Sequence, residues 1–377
     1  MPNARDHAAA IGQQPLSVRP FDEMDALILT QIVYMPMEGR LDRGETAPLA
    51  ELWGFLQSKY PEGFSDVFQQ KRYELLETCA SVPRYQGWQL YRYTNIIDHE
   101  LEMQFCACSF DLPGGQTFIA FRGTDWTLTG WKEDFNMSFM TVPSQREAVE
   151  YAERVAAENG NALMLGGHSK GGNLSVYAGA RVGGPTRERI RRVYSFDGPG
   201  VDKETMDSGE YALLSERIES YLPQSSIVGM LLYYHPVYTV VKSDSYGILQ
   251  HDAMTWQVED GAFIMLQSIN YSVKVTDEAL HEWLQSVDLE TRRKIVDTLY
   301  MALESTLAET LDDLVVNWHQ AARSIWEKIH GLPPEMRKNI LHMMIRLFKS
   351  SAAGMLKGLL PHVRLQLGEP EAEDEKL

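Results

Sequence analysis

Short apolar runs alternate with helical patterns through the middle of the chain. Four runs predict buried strands, and they read "QTFIAFRG", "ALMLGG", "IRRVYSFDGPG" and "VYTVVKS". The segments "QREAVEYAERVAAENG" and "NLSVYAGARVGG" lie between them and carry apolar or small residues at helical spacing. Strands that alternate with helices from about residue 115 to 245 predict an α/β fold with a mainly parallel sheet flanked by helices.

The residues before this alternation divide into a leader and an upstream part of the same domain. Residues 1–20 lack a sustained apolar pattern and predict a flexible leader. Helical spacing follows in "FDEMDALILTQIVYMPME", and "WQLYRYTNIID" with "EMQFCACSFDL" predicts a pair of strands. We therefore assign residues 21–270 to one α/β domain.

Beyond residue 270 the pattern becomes helical. Residues 275–362 predict a helical C-terminal region with a last helix that opens at Pro333 and Pro334, and residues 363–377 predict an acidic disordered tail. The last helix carries basic residues beside Leu and Met. It predicts packing within the protein or, alternatively, a lid over an acyl pocket or a peripheral membrane contact.

Charge and cysteine content limit the class of protein. The 52 acidic residues outnumber the 35 basic ones, and a net charge of −17 argues against non-specific nucleic-acid binding. Three cysteines, no secretory signal and no clear membrane-spanning stretch predict a cytoplasmic location. Zinc-like spacing, a phosphate-binding loop and a dinucleotide fingerprint are absent from the sequence, so we expect no metal and no cofactor.

The segment "LMLGGHSKGGNLSVYAGA" places a serine where a strand meets a helix. Gly167, Ser169 and Gly171 fit the pattern G-x-S-x-G, which in this context predicts a nucleophile elbow. Small residues are needed at the flanking positions because the turn is sharp. The following helix N-terminus favours negative charge on an attacked carbonyl, so we expect the backbone N–H of Lys170 to donate to an oxyanion. The side chain of Lys170 either contacts substrate or faces solvent.

An oxyanion hole needs a second donor from another loop. The stretch "FIAFRGTDWTLTGWKEDFNMSF" supplies a candidate, because a buried strand ends there in the turn Arg122-Gly123-Thr124. We expect Arg122 to form a buried ion pair that braces this turn, with Asp134 as a candidate partner.

These motifs resemble those of the class-3 lipases, which have the α/β-hydrolase fold. That family carries an F-R-G-[ST] turn, a downstream Trp and Asp (here Trp131 and Asp134) and then G-H-S-x-G-G. More narrowly, "FRGTD", "GWKEDFNMSF", "GHSKGGN", "SFDGPG" and the "QHD" motif with a later Trp are similar to a bacterial branch of lipase-like hydrolases. The resemblance spans roughly residues 20 to 260 and implies that the N–H of Thr124 is the second oxyanion donor.

The catalytic base must be a histidine that follows the serine in this fold. His251 lies in a loop after the strand "VYTVVKS" and matches the Q-H-D motif, so we favour it over His235, which precedes that strand. His168 adjoins the serine and is constrained by the elbow, which indicates a packing role.

The catalytic acid has two candidates. Asp197 ends the strand "YSFDGPG" and is favoured, whereas Asp244 follows the next strand and is the alternative. In most class-3 lipases the acid comes from a later stretch, which corresponds here to "PQSSIVGML" and holds Ser225 or Ser226 at that position. This departure leaves the usual acid position without a carboxylate.

Together the residues predict a serine hydrolase that cleaves carboxylic esters of lipids or small molecules through an acyl-serine intermediate. A thioesterase or acyltransferase would use the same residues with a different substrate or acceptor. The alternative from another class is a catalytically inactive hydrolase-fold protein that binds a lipid or protein partner.

Overall fold

A mixed sheet organises the part of the chain that the computed structural model describes, which comprises residues 1–42, 44–124, 133, 136–137, 141–226 and 228–270. The strands of this part are β1 Thr46–Pro48, β2 Gln89–Asp98, β3 Met103–Leu112, β4 Gln116–Phe121, β5 Ala162–His168, β6 Ile190–Phe196, β7 Ile218–Pro223, β8 Tyr238–Val241, β9 Val258–Glu259, β10 Ala262–Phe263 and β11 Met265–Leu266. Within the same residues, nine strands join in the order β1-β2-β3-β4-β5-β6-β7-β8-β11, and β9 pairs with β10 separately.

Helices cover both faces of the sheet. They are α1 Ala4–Ile11, α2 Glu23–Ile32, α3 Leu49–Lys59, α4 Val67–Ser81, α5 Pro143–Glu158, α6 Lys170–Arg181, α7 Gly184–Arg189, α8 Lys203–Met206 and α9 Gly209–Leu214. Four short 3-10 turns within the described residues complete the elements: Ser215–Arg217, Val228–Met230, Gly247–His251 and Ala253–Thr255.

The centre of the sheet is parallel and its edges are antiparallel. Strands β4 to β8 run parallel to one another, whereas β1 to β4 form antiparallel pairs and β11 runs antiparallel to β8. Helices connect the parallel strands from β4 to β7, and a longer segment with the 3-10 turn Val228–Met230 connects β7 to β8. The predicted α/β-hydrolase fold is therefore confirmed, with a parallel centre inside a sheet that is mixed as a whole.

The two faces of the sheet carry separate hydrophobic cores. Along β4, Phe118 and Ala120 pack with residues of α1 to α4, whereas Ile119 and Phe121 pack with residues of α5 and α6. Successive side chains of a strand point to opposite faces, so a central strand with both faces covered is apolar throughout. This explains why "FIAF" reads as a continuous apolar run.

The register brings three strand ends to one edge. Phe121 at the end of β4 pairs with Gly167, and His168 at the end of β5 pairs with Phe196 at the end of β6. The turns that follow β4, β5 and β6 therefore lie side by side at the carboxyl edge, where ligands bind in sheets of this kind.

The prediction of a flexible leader over residues 1–20 is wrong. Helix α1 begins at a capping box formed by Asn3 and Asp6. The guanidinium of Arg84 holds the following segment, because it donates to the carbonyl oxygens of Gln14 at 2.8 Å and Arg19 at 2.9 Å. No periodic signal predicts this docking, because α1 is short and rich in alanine and Arg84 lies far along the chain.

The N-terminal residues also reach the loop that follows His251. The backbone N–H of Val258 donates to the carbonyl of Pro2 at 2.9 Å, and the Asn3 amide donates to the carbonyl of Met254 at 3.2 Å. The beginning of the chain thus supports a segment near the carboxyl edge of the sheet.

The helical region predicted for residues 275–362 and the acidic tail predicted for residues 363–377 lie outside the described residues. The membrane contact of the last helix therefore stays a prediction. In the described part of the chain, no helix combines the length and the apolar character needed to cross a bilayer.

Candidate active site

Ser169 occupies a strained turn between β5 and α6. Its backbone adopts φ 58° and ψ −131°, a conformation rare for a residue with a side chain. Two glycines make this turn possible. A Cβ atom on Gly167 would lie 2.1 Å from the carbonyl of Gly171, and one on Gly171 would lie 2.1 Å from the carbonyl oxygen of Phe121. The expected need for small residues at these two positions is thus explained, because neighbouring backbone atoms leave no room for a Cβ.

The backbone of the elbow is held on both sides. The N–H of Ser169 donates to the carbonyl of Phe196 at 3.0 Å, and the N–H of Gly172 donates to the carbonyl of Ser169 at 2.8 Å. Lys170 is the first residue of α6, so the positive end of the helix dipole faces the serine.

The side chain of Lys170 is buried, and both expectations for it are wrong. Its Nζ lies 2.8 Å from Oε2 of Glu133, and each side chain is only 1% exposed. Nζ also donates to the carbonyl of Gln104 at 2.8 Å. Glu133 accepts in addition the backbone N–H groups of Gln104 and Ser144, each at 3.0 Å. The pair thus joins the start of α6 to β3 and α5.

Glu133 is a residue that the sequence reading missed. It lies in the quoted motif "GWKEDFNMSF", and Lys170 lies in "GHSKGGN". The sequence held only part of the signal: a lysine beside the elbow serine needs a charged partner when it is buried, but no pattern shows its burial or singles out Glu133 among the acidic residues.

The turn after β4 lies against the elbow. A Cβ atom on Gly123 would lie 2.6 Å from the carbonyl oxygen of His168 and 3.0 Å from Cβ of Ser169. Thr124, the expected second oxyanion donor, follows Gly123 and is half-buried. Arg122 is buried as predicted and donates from Nη2 to Asn95 at 3.1 Å. Its expected ion pair with Asp134 falls outside the described residues, as does Trp131.

His251 contacts the favoured acid. Its Nδ1 lies 2.6 Å from Oδ2 of Asp197, whose side chain is 1% exposed against 26% for His251. Asp197 directly follows β6 with φ 48°, a left-handed conformation that aspartate tolerates better than most residues. Its other oxygen, Oδ1, accepts from the Ser226 hydroxyl at 2.5 Å and from the N–H of Gly229 at 3.2 Å.

The alternatives lie elsewhere. Asp244 is largely exposed, and its carboxylate lies 3.9 Å from the amino group of Met1. His235 contacts the hydroxyl of Tyr211 through Nδ1 at 2.8 Å. Neither residue takes part in the contact between His251 and Asp197.

The remaining residues of the Q-H-D motif and its Trp hold the His251 loop. Gln250 accepts the N–H of Ser225 at 2.8 Å, and its own carbonyl accepts from the indole N–H of Trp256 at 2.8 Å. Asp252 caps the 3-10 turn that begins at Ala253 and pairs with Lys71 of α4 at 2.7 Å. The motif residues therefore position the loop.

Among the described residues, no group of three His, Cys, Asp or Glu side chains could hold a metal ion. The chemistry that these residues can supply is a serine hydroxyl on a strained turn, a histidine oriented by a carboxylate, and backbone donors at a helix N-terminus.

The fold and this arrangement define the class of protein as an α/β-hydrolase. A family model described as Mbeg1-like matches residues 79–301, more than half of the chain, so the chain belongs to the Mbeg1-like family. That family is lipase-like, which confirms the broad part of the expected resemblance, whereas the assignment of individual class-3 motifs stays a prediction.

Two solved structures are similar to this chain at a low level. One is the M37 lipase, with 12% identity over 56% of this chain and 69% of that chain, and a TM-score of 0.35. The other is a mutant form of MDLA from Penicillium cyclopium, with 12% identity over 64% of this chain and 83% of that chain, and a TM-score of 0.37. No curated protein matches the sequence significantly.

Proposed function

We propose that this protein is a serine hydrolase that cleaves carboxylic esters through an acyl-serine intermediate. Ser169 is the nucleophile, His251 the base and Asp197 the acid. The observation that carries the proposal is the 2.6 Å contact between His251 Nδ1 and Asp197 Oδ2, two side chains chosen independently from the sequence. They meet at the edge of the sheet where the serine elbow lies.

The hydrogen-bond pattern supports these roles for the two imidazole nitrogens. A buried carboxylate only accepts, so Nδ1 of His251 carries the proton that it donates to Asp197. The other nitrogen, Nε2, is then an acceptor and takes the proton of Ser169 as the hydroxyl attacks an ester carbonyl. Asp197 holds this tautomer and stabilises the imidazolium that forms. The imidazolium next protonates the departing alkoxide, and water cleaves the acyl-enzyme with His251 again as base.

The oxyanion is stabilised by backbone donors. The N–H of Lys170 belongs to the first residue of α6, and the N–H of Thr124 belongs to the turn packed against Ser169. Since the Lys170 side chain is engaged with Glu133, this residue acts through its backbone. Donors preorganised in this way contribute about 100- to 1000-fold each in acyl-transfer enzymes.

The departure at Ser225 and Ser226 fits this proposal. Asp197 lies within hydrogen-bond distance of both His251 and Ser226. Asp197, at the end of β6, thus places its carboxylate beside Ser226, which occupies the usual acid position at the end of β7. The missing acid, which favoured a catalytically inactive protein, is replaced from the neighbouring strand.

The experiment is covalent labelling with a fluorophosphonate probe, followed by mass spectrometry of the intact protein. Wild type is expected to gain one probe adduct, and Ser169→Ala none. A series of p-nitrophenyl esters then measures kcat, which should fall about 1000-fold or more in Asp197→Asn.

Thioesters and alternative acyl acceptors in the same assay separate esterase from thioesterase and acyltransferase activity. A folded wild type that neither labels nor turns over any of these substrates overturns the proposal. The protein would then be the lipid- or partner-binding alternative.

A further inference from the structure

A chain of hydrogen bonds crosses beneath the candidate site. The backbone N–H of Gly123, in the turn after β4, lies 3.0 Å from the hydroxyl oxygen of Tyr34. That hydroxyl lies 3.3 Å from Nδ1 of His168. At the other side of the ring, Nε2 of His168 lies 2.7 Å from the backbone carbonyl of His251. The chain therefore runs from the oxyanion turn through β5 to the residue that carries the base.

The two ends fix the direction of every bond in this chain. A backbone N–H only donates, so the oxygen of Tyr34 accepts from Gly123 and its proton is available for Nδ1 of His168. A backbone carbonyl only accepts, so Nε2 of His168 must carry a proton. Nδ1 is then the bare nitrogen that receives the Tyr34 proton. One neutral tautomer of His168 satisfies all three contacts.

The surroundings of His168 favour that neutral tautomer. Burial holds the pKa of His168 well below its ordinary value, and the nearby His251 and Arg72 lower it further. A charged ring would carry a proton on Nδ1 as well, and would lose its acceptor for Tyr34. The ring also lies 4.6 Å from the ring of His251, centroid to centroid. A neutral neighbour therefore adds no like charge when His251 takes a proton.

The members of the chain have little room to move. His168 is part of β5 and pairs with Phe196 of β6. The ring of Tyr34 lies under the guanidinium of Arg72, whose carbon is 4.0 Å from the ring centroid. A Cβ atom on Gly123 would lie 2.2 Å from the Tyr34 hydroxyl, so only glycine permits this approach. The contacts thus connect the turn after β4 to the His251 loop through Tyr34 and His168, which are themselves held in place.

We propose that His168 and Tyr34 are positioning residues that fix the oxyanion turn and the His251 loop relative to each other. This inference rests on the proposed hydrolase function. Neither side chain takes a proton from substrate or donates to an oxyanion. His168 acts through the backbone of His251, the proposed base, and Tyr34 acts through the backbone of Gly123, which directly precedes the proposed oxyanion donor Thr124. This goes beyond the packing role that the sequence indicates for His168.

The first test removes one oxygen. Tyr34→Phe keeps the ring over which Arg72 lies but leaves the Gly123 N–H and His168 Nδ1 without that partner. We expect kcat for a p-nitrophenyl ester to fall about 10-fold, with KM within about 2-fold. The matched control is Tyr151→Phe, which removes a buried hydroxyl bonded to Ser109 and to the carbonyl of Arg92. We expect it to lower stability but not kcat.

A second pair of variants tests the bond to His251. In His168→Gln the side-chain amide can reach the place of Nε2 and still donate to the His251 carbonyl. In His168→Asn the shorter amide reaches only the place of Nδ1. We expect kcat of His168→Gln to be about 10-fold higher than kcat of His168→Asn. Equal losses in the two variants would contradict a role through the His251 backbone.

Proton NMR separates this inference from the proposed function. The Nδ1 proton shared by His251 and Asp197 should give a resonance far downfield in wild type, whether or not the protein is an enzyme. We expect that resonance to shift or broaden in Tyr34→Phe and to persist in Tyr151→Phe. An unchanged resonance in both, or an equal fall in kcat in both, overturns the positioning role. If wild type shows the resonance and Tyr34→Phe shifts it, but wild type is not labelled by the fluorophosphonate, the hydrolase proposal is refuted and the positioning role stands.

Discussion

The hydroxyl of Ser226 lies 2.5 Å from Oδ1 of Asp197, while Oδ2 of the same carboxylate contacts His251. Ser226 follows β7, where lipases of the class-3 type carry their acid, and Asp197 follows β6. The two strands are neighbours, so a carboxylate at either strand end can reach the same imidazole. Ser226 lies beside the Asp197 carboxylate and donates a hydrogen bond to Oδ1, the oxygen that does not contact His251.

Replacing Ser226 tests whether this contact holds the acid. In Ser226→Ala the carboxylate keeps the N–H of Gly229 but loses its shortest partner. We expect kcat for a p-nitrophenyl ester to fall about 10-fold, because the Asp197 side chain gains freedom to turn away from His251. The matched control is Ser225→Ala, whose hydroxyl accepts from Asn270 instead. Equal kcat values for the two variants would show that Ser226 does not position the acid.

Replacing Lys170 tests the buried ion pair. Lys170→Met leaves the carboxylate of Glu133 buried without its cation, and we expect the free energy of unfolding to fall by about 3–5 kcal/mol. The double variant Lys170→Met/Glu133→Gln removes both charges and should lose less than the sum of the single variants. Urea unfolding of all four proteins measures this coupling. Strictly additive losses would mean that the two side chains do not interact.

The elbow glycine Gly171 should tolerate no side chain. Gly171→Ala would place Cβ 2.1 Å from the Phe121 carbonyl oxygen, so we expect a loss of about 3 kcal/mol or more in stability and loss of fluorophosphonate labelling. The control is Gly54→Ala within α3, where a Cβ atom meets nothing within 4 Å. That change should stabilise the protein by about 0.5–1 kcal/mol. Thermal unfolding compares the two, and similar melting temperatures would refute the crowding at the elbow.

Acid sensitivity should depend on His7 in α1. Burial lowers the pKa of His7 from 6.5 to about 4, so between these values the unfolded chain binds a proton that the folded chain refuses. This contribution is complete above about pH 6.5 and is lost as the pH falls toward 4; it amounts to about 3 kcal/mol. The variant His7→Gln does not titrate. Its unfolding free energy should therefore fall less than that of wild type between pH 7.5 and 4.5, because all other groups contribute to both.

Equal pH dependence in wild type and His7→Gln would show that His7 is accessible to protons in the folded state. Urea unfolding at the two pH values provides the measurement. Burial lowers the pKa of His168 in the same direction, and that effect is common to both proteins.

The candidate-site residues that could be selected from the sequence are those whose environment is local. The glycines around Ser169 follow from crowding within one turn, and Asp197 follows from its place at a strand end. His251 could be chosen because one loop position serves as the base in this fold. These inferences need only neighbouring residues, the order of strands and, for His251, the resemblance of the Q-H-D motif to lipase-like hydrolases.

The residues that sequence reasoning missed depend on contacts between distant segments. Glu133 and Lys170 are 37 positions apart, and Tyr34 and His168 are 134 apart. The segment after α1 is held by Arg84, which lies beyond three further helices. A pattern of apolar and polar positions carries no information about which distant polar groups will meet, so only the three-dimensional structure could reveal these pairs.

The contact between Asn3 and Met254 joins residues that are 251 positions apart. During synthesis the first helix leaves the ribosome long before the segment that it must meet. Domains fold as units, and contacts between distant segments form last. The His251 loop and the N-terminal helix should therefore become ordered together, late in translation. Under the proposed function, a nascent chain that already contains Ser169 has no assembled triad until this last closure. The proposed activity should then appear in a single step rather than grow with chain length.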